Sequence, residues 1–573
     1  MTKLFNRLLR PAVLALALGG LAAPALAQNQ SSQLTRNMLS MFRASVTGSY
    51  LAGQQALQEM RTEEAARYFW QAAQADWDNP ILVERAFIAF AADGQIGQAT
   101  STAKHLLELD KTNQLAQLVV ATEALKERRY GAAEAMLSTI GQDNFTGITG
   151  GILRAWALVG ENKPDAADKV LDALGKGGLA DFLLFHRAMM AEAEGNTDKA
   201  IELAGKAFDA EPQVARVVEV YARILANAGH FDQAKAAIAQ FEARGLTHPV
   251  VTIVKKLVDA GQKPGVFASN VQVGAAEMYH GIGVALSRDG SMDLSIVFLR
   301  LGLYLDPSAD VISLALGQLL DQAGQNAAAN VIYDRVPATS PMKPTAVVRI
   351  AQNLDTLGNR PEALRRLSNI VATQPDDLDA VGVLGDLLRY DEKYLEAADA
   401  YTKALAISGG ENASDWRYYY VRAISYERAK EWSKAEPDFL KALELNPDQP
   451  QVLNYLGYSW IDQDMNYDKA LGMIEKAVAA VPRDGYIVDS LGWAFYKLGR
   501  VDEAVTTLEQ AVQLLPNDPE INDHLGDAYW KAGRQLEAKF QWRIAASVDT
   551  IGTVKARTAP KLADGLTKDN ATP

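Results

Sequence analysis

The sequence predicts an all-α chain built as an array of stacked helix pairs, and three observations carry that prediction. A small residue recurs about every 34 residues between Gly283 and Gly526. Within each period, apolar or small residues fall at helical spacing on two successive segments. Gly or Pro then punctuates the segment ends. The recurring residues are Gly283, Gly317, Ala351, Gly385, Ala423, Gly457, Gly492 and Gly526, spaced by 34, 34, 34, 38, 34, 35 and 34. The two longer spacings coincide with insertions around Ser408 to Ser414 and Asp462 to Tyr467.

The repeat marked by Gly492 shows the pattern in full. Leu491 and Gly492 are followed by Phe495, Gly499, Ala504, Leu508, Ala511 and Pro516, a sequence of helix, turn, helix and stop. Small residues such as Gly526 and Ala538 let two antiparallel helices approach closely, and Tyr529 and Trp542 fill the space between neighbours. Pro482 and Pro516 lack the N–H that would continue the second helix and end it. Leu-Gly, an aromatic three residues on, two later Ala and a closing Pro resemble the tetratricopeptide signature. That resemblance implies a right-handed superhelical solenoid of helix-turn-helix repeats, with each repeat's first helix lining a concave groove.

The first half carries the same period more faintly, at Gly53, Phe87, Ala121, Ala155, Ala188 and Ala222, with Ala65, Ala99, Ala133, Ala167, Ala200 and Ala234 at the later small position. Phe87 stands where the others are small. An aromatic cluster at Tyr68, Phe69, Trp70 and Trp77 reads first as core and second as partner surface. The 61 residues from Ala222 to Gly283 are too few for two clean repeats and hold Gly245, Pro249, Gly261, Pro264 and Gly265. The expected organisation is therefore two arrays: 28–245, weakly patterned, and 272–548, strongly patterned, with a degenerate unit and joint at 246–271. Residues 549–573 lose the pattern. Their stretch from Pro560 to Leu566 is expected to cap the last repeat, and the remainder to be disordered.

Residues 1–27 read as a cleaved secretory signal. Lys3, Arg7 and Arg10 precede the apolar run Pro11 to Ala25, and Ala25-Leu26-Ala27 supplies the small-residue cleavage site. The run is too short for a comfortable membrane span, so no transmembrane span is expected after cleavage. With no cysteine in the chain, a lipoprotein anchor, a disulfide and a thiolate metal site are all excluded. The expected location is the periplasm. The formal charge is −13, and losing the three basic residues of 1–27 leaves −16. That acidity argues against a nucleic-acid partner, which needs a basic footprint.

Catalytic motifs are missing from the sequence: there is no phosphate loop, HExxH, GxSxG or GxGxxG after a strand pattern. The six histidines are dispersed, with none at metal-ligand spacing. The expectation is therefore no enzyme, no metal and no cofactor. His524, flanked by Asp523 and Asp527, reads as a first-helix residue packing against its neighbour.

Groove positions in tetratricopeptide arrays lie three before, one after and four or five after the signature residue. Here they give Tyr420, Asn454, Tyr458, Asp489, Trp493, Tyr496, Lys497, Asp523, Asp527 and Trp530. Aromatic area alternating with hydrogen-bonding side chains suits an extended peptide or partner helix. Asp489 and Trp493 stand where carboxylate-clamp domains carry Lys and Asn, so recognition of a free C-terminal carboxylate is not expected. The expected function is a periplasmic scaffold or adaptor holding envelope proteins or peptides in concave grooves. A secretion signal followed by a full-length array resembles, more weakly, the periplasmic adaptors of carboxy-terminal processing proteases. Two other readings stay open: a structural component of an envelope assembly or polysaccharide export machine, and a carbohydrate-binding protein or enzyme using groove aromatics and carboxylates. Self-association through terminal repeats is also open.

Overall fold

The computed structural model describes residues 45–141, 145–175 and 180–567. The expected signal segment and the end of the tail lie outside the described residues. Among those residues every regular element is helical, and by contact the chain divides into two units, Met1–Met342 and Lys343–Pro573.

The first unit opens with six helix pairs: α1 (Val46–Gln58) with α2 (Thr62–Ala75), α3 (Pro80–Asp93) with α4 (Ile96–Leu109), α5 (Gln114–Lys126) with α6 (Tyr130–Leu137), α7 (Phe145–Gly160) with α8 (Pro164–Gly175), α9 (Ala180–Ala193) with α10 (Thr197–Ala210), and α11 (Ala215–Asn227) with α12 (Phe231–Glu242). A lone α13 (Pro249–Asp259) follows. After a non-helical linker come α14 (Val271–Arg288) with α15 (Met292–Leu305), and α16 (Asp310–Gln322) with α17 (Asn326–Tyr333). The second unit comprises α18 (Lys343–Thr356) with α19 (Arg360–Thr373), α20 (Leu378–Tyr390) with α21 (Tyr394–Ser408), α22 (Trp416–Arg428) with α23 (Trp432–Leu445), α24 (Pro450–Asp462) with α25 (Tyr467–Ala480), α26 (Gly485–Lys497) with α27 (Val501–Leu514), α28 (Pro519–Lys531) with α29 (Gln535–Val548), and a terminal α30 (Thr553–Asp564).

Every recurring small residue of the period lies in the first helix of a pair, and what faces it explains the period. A Cβ built on Gly526 would sit 2.4 Å from the Trp542 ring, on Gly385 2.6 Å from Tyr401, on Gly317 2.3 Å from Tyr333, and on Gly53 2.9 Å from Phe69. Each large partner stands sixteen residues later, on the second helix. Phe87 breaks the rule in residue type only. Sixteen residues after it stands Ala103, and both are fully buried, so bulk has moved from the second helix to the first while the interior stays filled.

The helices start and stop for local reasons. Asn79, Asn113, Asp377, Asp484 and Asp518 accept backbone N–H bonds at helix N-termini, satisfying donors that have no partner within the helix. Pro80, Pro450 and Pro519 open their helices, where a missing N–H costs nothing.

The first unit folds back on itself. Helices α14 and α15 pack against α3, α5, α7 and α9, all first helices of earlier pairs. Several returning side chains end on helix C-termini, whose last carbonyls have no partner within the helix. Gln272 donates to the Leu125 carbonyl at 2.7 Å and Arg300 to that of Ala92 at 3.2 Å. The hydroxyls of Thr122 and Tyr279 meet at 2.5 Å in the interior. A Cβ on Gly274 would lie 2.3 Å from Trp156, so Gly there lets α14 approach α7.

The expected joint at 246–271 is therefore not where the chain divides, and residues 272–342 belong to the first unit. The linker is also pinned. Arg223 donates to the Pro264 carbonyl at 3.1 Å, the Gly265 N–H donates to Asn227, and Arg216 lies over the Phe267 ring at 4.5 Å. Arg216 in turn grips both oxygens of Glu277 on α14, at 3.0 and 2.6 Å. Burial works against the Glu277 charge, but Arg216 and His280 outweigh it and hold its carboxyl below the usual range.

Candidate binding groove

The first-helix side of the first unit is filled by the chain's own α14 and α15 along α3, α5, α7 and α9. The reading of two partner-holding grooves is corrected accordingly, because the earlier array buries that face against later helices of the same unit. The N-terminal aromatic cluster divides. Phe69 is fully buried against Gly53. Trp70 and Trp77 meet edge to face at 5.4 Å, His105 stacks on Trp77 at 4.4 Å, and the two indoles line a cleft of about 1110 Å³ between α2 and α4.

In the second unit the ten groove candidates separate into two groups. Asp489, Trp493, Tyr496, Asp523 and Asp527 are buried, with Trp493, Asp523 and Asp527 at 0% exposure. Positions counted from the signature glycine face the neighbouring first helix as well as the groove, and large side chains there are consumed by helix-to-helix packing. Trp493 is sandwiched between Tyr496 (4.6 Å, 13°) and His524 (4.2 Å, 18°). Lys531 covers the Tyr496 ring at 3.9 Å. His524 Nδ1 lies 3.0 and 2.9 Å from the Asp489 oxygens. Burial opposes the imidazolium, yet Asp489, Asp523 and Glu520 lift its pKa above the ordinary value. Asp523 and Asp527 are engaged by Lys561 of α30. The groove carboxylates Asp489, Asp523 and Asp527 are thus each engaged within the protein.

Tyr420, Asn454, Tyr458, Lys497 and Trp530 are half-buried. Tyr420 packs against Phe439 and Tyr455 at 6.2 and 6.1 Å, and burial pushes its phenol up to about 12. Burial, then Asp462 and Asp489, hold the Tyr458 phenol well above its ordinary value. Lys497 lies 3.6 Å from Asp464. The Asn454 side-chain oxygen is buried and unpartnered.

Around Tyr420 the structure opens a cleft of about 650 Å³ that counting from the signature did not find. Its walls include Leu378 and Asp386 of α20, Tyr401 of α21, and Trp416, Tyr418 and Tyr420 of α22. The 38-residue spacing between Gly385 and Ala423 was its sequence signal, because the inserted residues form one wall. Gly409 and Gly410 turn in the left-handed region, at φ 91° and 72°. Asn412 and Asp415 then close a reciprocal capping box in front of α22. Asp386 accepts from the Tyr401 hydroxyl at 2.7 Å, but burial raises its pKa all the same. The cleft presents four aromatic rings and a half-desolvated carboxylate beside an ordered loop. Among the described residues no group of three or more His, Asp and Glu could hold a metal ion, and no helix is long and apolar enough to cross a membrane.

Paired antiparallel helices with small-to-large packing at a 34-residue period define a helical repeat protein. The repeats are tetratricopeptide repeats: tetratricopeptide repeat models match residues 191–246, 348–413, 416–449 and 492–533. A TPR repeat-containing protein of Pseudomonas aeruginosa is 27% identical over 193 residues, 34% of this chain and 32% of that protein. The human protein O-mannosyl-transferase TMTC1 is 24% identical over 215 residues, 37% of this chain and 24% of that protein. The chain thus matches about a third of the length of the first relative and about a quarter of the second. Among solved structures, the APC/C hetero-tetramer Cut9-Hcn1 is 14% identical, with 93% of this chain and 99% of that chain covered and a TM-score of 0.38. Tetratricopeptide proteins generally mediate protein–protein interaction and scaffolding, and their fold is typically non-enzymatic.

Proposed function

We propose that this protein is a periplasmic, non-enzymatic adaptor that holds a segment of an envelope protein along the first-helix face of its second unit, around the cleft between α20 and α22. The observation that carries this reading is the contrast between the units. The first unit covers its own first-helix face with α14 and α15, whereas the second leaves an aromatic cleft at Trp416, Tyr418 and Tyr420. Aromatic rings bury much area at low entropic cost, and Asp386 with the adjacent Arg389 and Arg417 offers groups for peptide amides or a charged side chain. The periplasmic setting rests on the order of charge, apolar run and Ala25-Leu26-Ala27 in residues 1–27.

Photo-crosslinking residues placed at 418 and 420 test the binding reading, with Leu440, exposed on α23, as the control position. The same few proteins should attach at 418 and 420 and be missing at 440. Equal capture at all three positions, or none at the cleft, would sink the proposal. A reporter active only after export, fused behind residue 30, tests the location and should be active.

A further inference from the structure

Helix α30 occupies the place where the first helix of another repeat would stand, packed on α29 and α28. Its contacts with α28 include a buried ionic set. Lys561 is completely buried, and its ammonium donates to Asp523 Oδ1 at 2.8 Å and to both oxygens of Asp527 at 2.8 and 2.9 Å. Arg557, one turn earlier, donates to Asp523 at 2.7 Å and pairs with Glu520. Basic residues four apart on α30 thus meet an acidic ladder at 520, 523 and 527 on α28, the matching helical spacing. Leu562 and Leu566 add partial cover to the Trp493 and Trp530 cluster, and the Trp530 ring lies where a Cβ on Gly565 would fall, 2.2 Å away.

A helix that served only to seal the last repeat would gain as much from apolar side chains. A buried ion pair costs desolvation that an apolar pair of similar volume does not incur, and what it confers is register and selectivity. The remaining features of α30 weaken its hold. Pro560 sits inside the helix and removes a backbone hydrogen bond. Only its N-terminus is firmly held, by Asp549, whose carboxylate accepts the Gly552 and Lys555 N–H groups. Val554 is its only buried large apolar side chain.

We propose that the acidic ladder of α28 is a receptor for a partner-protein helix carrying Arg or Lys at positions four apart, and that α30 is its resident occupant, exchanged for that helix on binding. The inference rests on the reading that the first-helix face of the second unit receives partner segments, and it supplies the partner's chemistry at the terminal end. Charge complementarity fixes the class, because the one helix seen on the ladder presents this pair to it.

The test uses the full chain and a fluorescent peptide of residues 549–567. The peptide should bind the wild type weakly, bind an Arg557→Gln, Lys561→Gln variant at least tenfold tighter, and not bind once Asp523→Asn and Asp527→Asn are added. A peptide with Glu at both basic positions should not bind any of them. In the wild type, amide hydrogens of 553–564 should exchange at least tenfold faster than those of 519–531. Exchange of both helices at one slow rate would make α30 a permanent seal and overturn the proposal. So would failure of the peptide on the Gln variant while 519–548 stays protected. If the Gln variant dimerises and an unrelated helix with the same basic spacing fails to bind, the occupant is a second copy and the partner assignment falls. Crosslinking at 418 and 420 is read separately, so loss of the cleft reading and loss of this one are distinguishable.

Discussion

His186 on α9 and His524 on α28 are both buried on first helices, yet their surroundings send their charges in opposite directions. Trp156 donates its indole N–H to His186 Nδ1 at 3.4 Å, the other ring nitrogen has no partner, and Phe182 and Phe185 pack edge-on. Burial lowers its pKa to about 4, against a small opposing pull from Glu277. His524 has Asp489 in direct contact, with Asp523 and Glu520 nearby, and its pKa is raised. Linkage then sets the signs. The His186 contribution is present above the unfolded value near 6.5 and is lost as pH falls toward 4, about 3 kcal/mol by the end of that window. The His524 contribution is complete below 6.5 and is lost as pH rises through its raised value. Denaturant midpoints between pH 4 and 8 should therefore lose part of their acid-side fall in His186→Gln and part of their fall toward high pH in His524→Gln. Unchanged profiles in both variants would refute the assignment. The structural reading of His524 was available from its first-helix position, whereas its partner Asp489, 35 residues away, is one repeat distant and visible only after the period is folded.

Between the two helices of each pair the chain makes the same turn with different residues. Gly94, Gly195, Gly229, Gly290, Gly324, Gly358, Gly499 and Gly533 adopt φ between 72° and 90° there, and Met60, Arg128, Asn162, Glu392, Lys430 and Asp464 adopt φ between 54° and 62°. The left-handed conformation costs a side-chain-bearing residue about 1–2 kcal/mol, so six of these fourteen turns carry strain that the other eight avoid. Gly533→Ala should lower stability by about 1 kcal/mol and Lys430→Gly raise it by up to about 1 kcal/mol, less the chain entropy that Gly adds to the unfolded state. Equilibrium denaturation of the single variants checks both, and effects of the same sign would contradict the shared turn geometry. The glycine turns were legible as punctuation and the others were not, because Met, Arg, Glu and Lys leave no local signal. Helix pairing was legible at the marked repeats, since Gly facing a large residue sixteen later is a steric demand written in residue size, whereas the lone α13 and the full length of α30 were not. The cleft beside α22 was half legible: an insertion shows its length, not the wall it builds.

At the scale of the whole chain, periodicity shows that a face is buried and leaves open what buries it. Tyr279 looks like the interior of one more repeat, and it is also what α14 carries back to Thr122 on α5, as α15 carries Arg300 back to the Ala92 carbonyl of α3. The groove candidates met the same limit, because Trp493 and Asp523 had the right register for a groove and were claimed by neighbouring helices. The return of α14 and α15 implies that the first six helix pairs are incomplete alone. A fragment of residues 45–260 would expose the faces that Tyr279, Arg300 and Gln272 cover and would leave the Leu125 and Ala92 carbonyls without those donors. A fragment of 45–342 restores all of them. Stacked repeats are stabilised mainly by neighbour interfaces, so the longer fragment should unfold in one cooperative transition and give dispersed amide spectra, while the shorter should bind a hydrophobic dye and melt broadly. If 45–260 unfolds as sharply as 45–342, the returning helices are an accessory, and the first unit's own groove is open to partners after all.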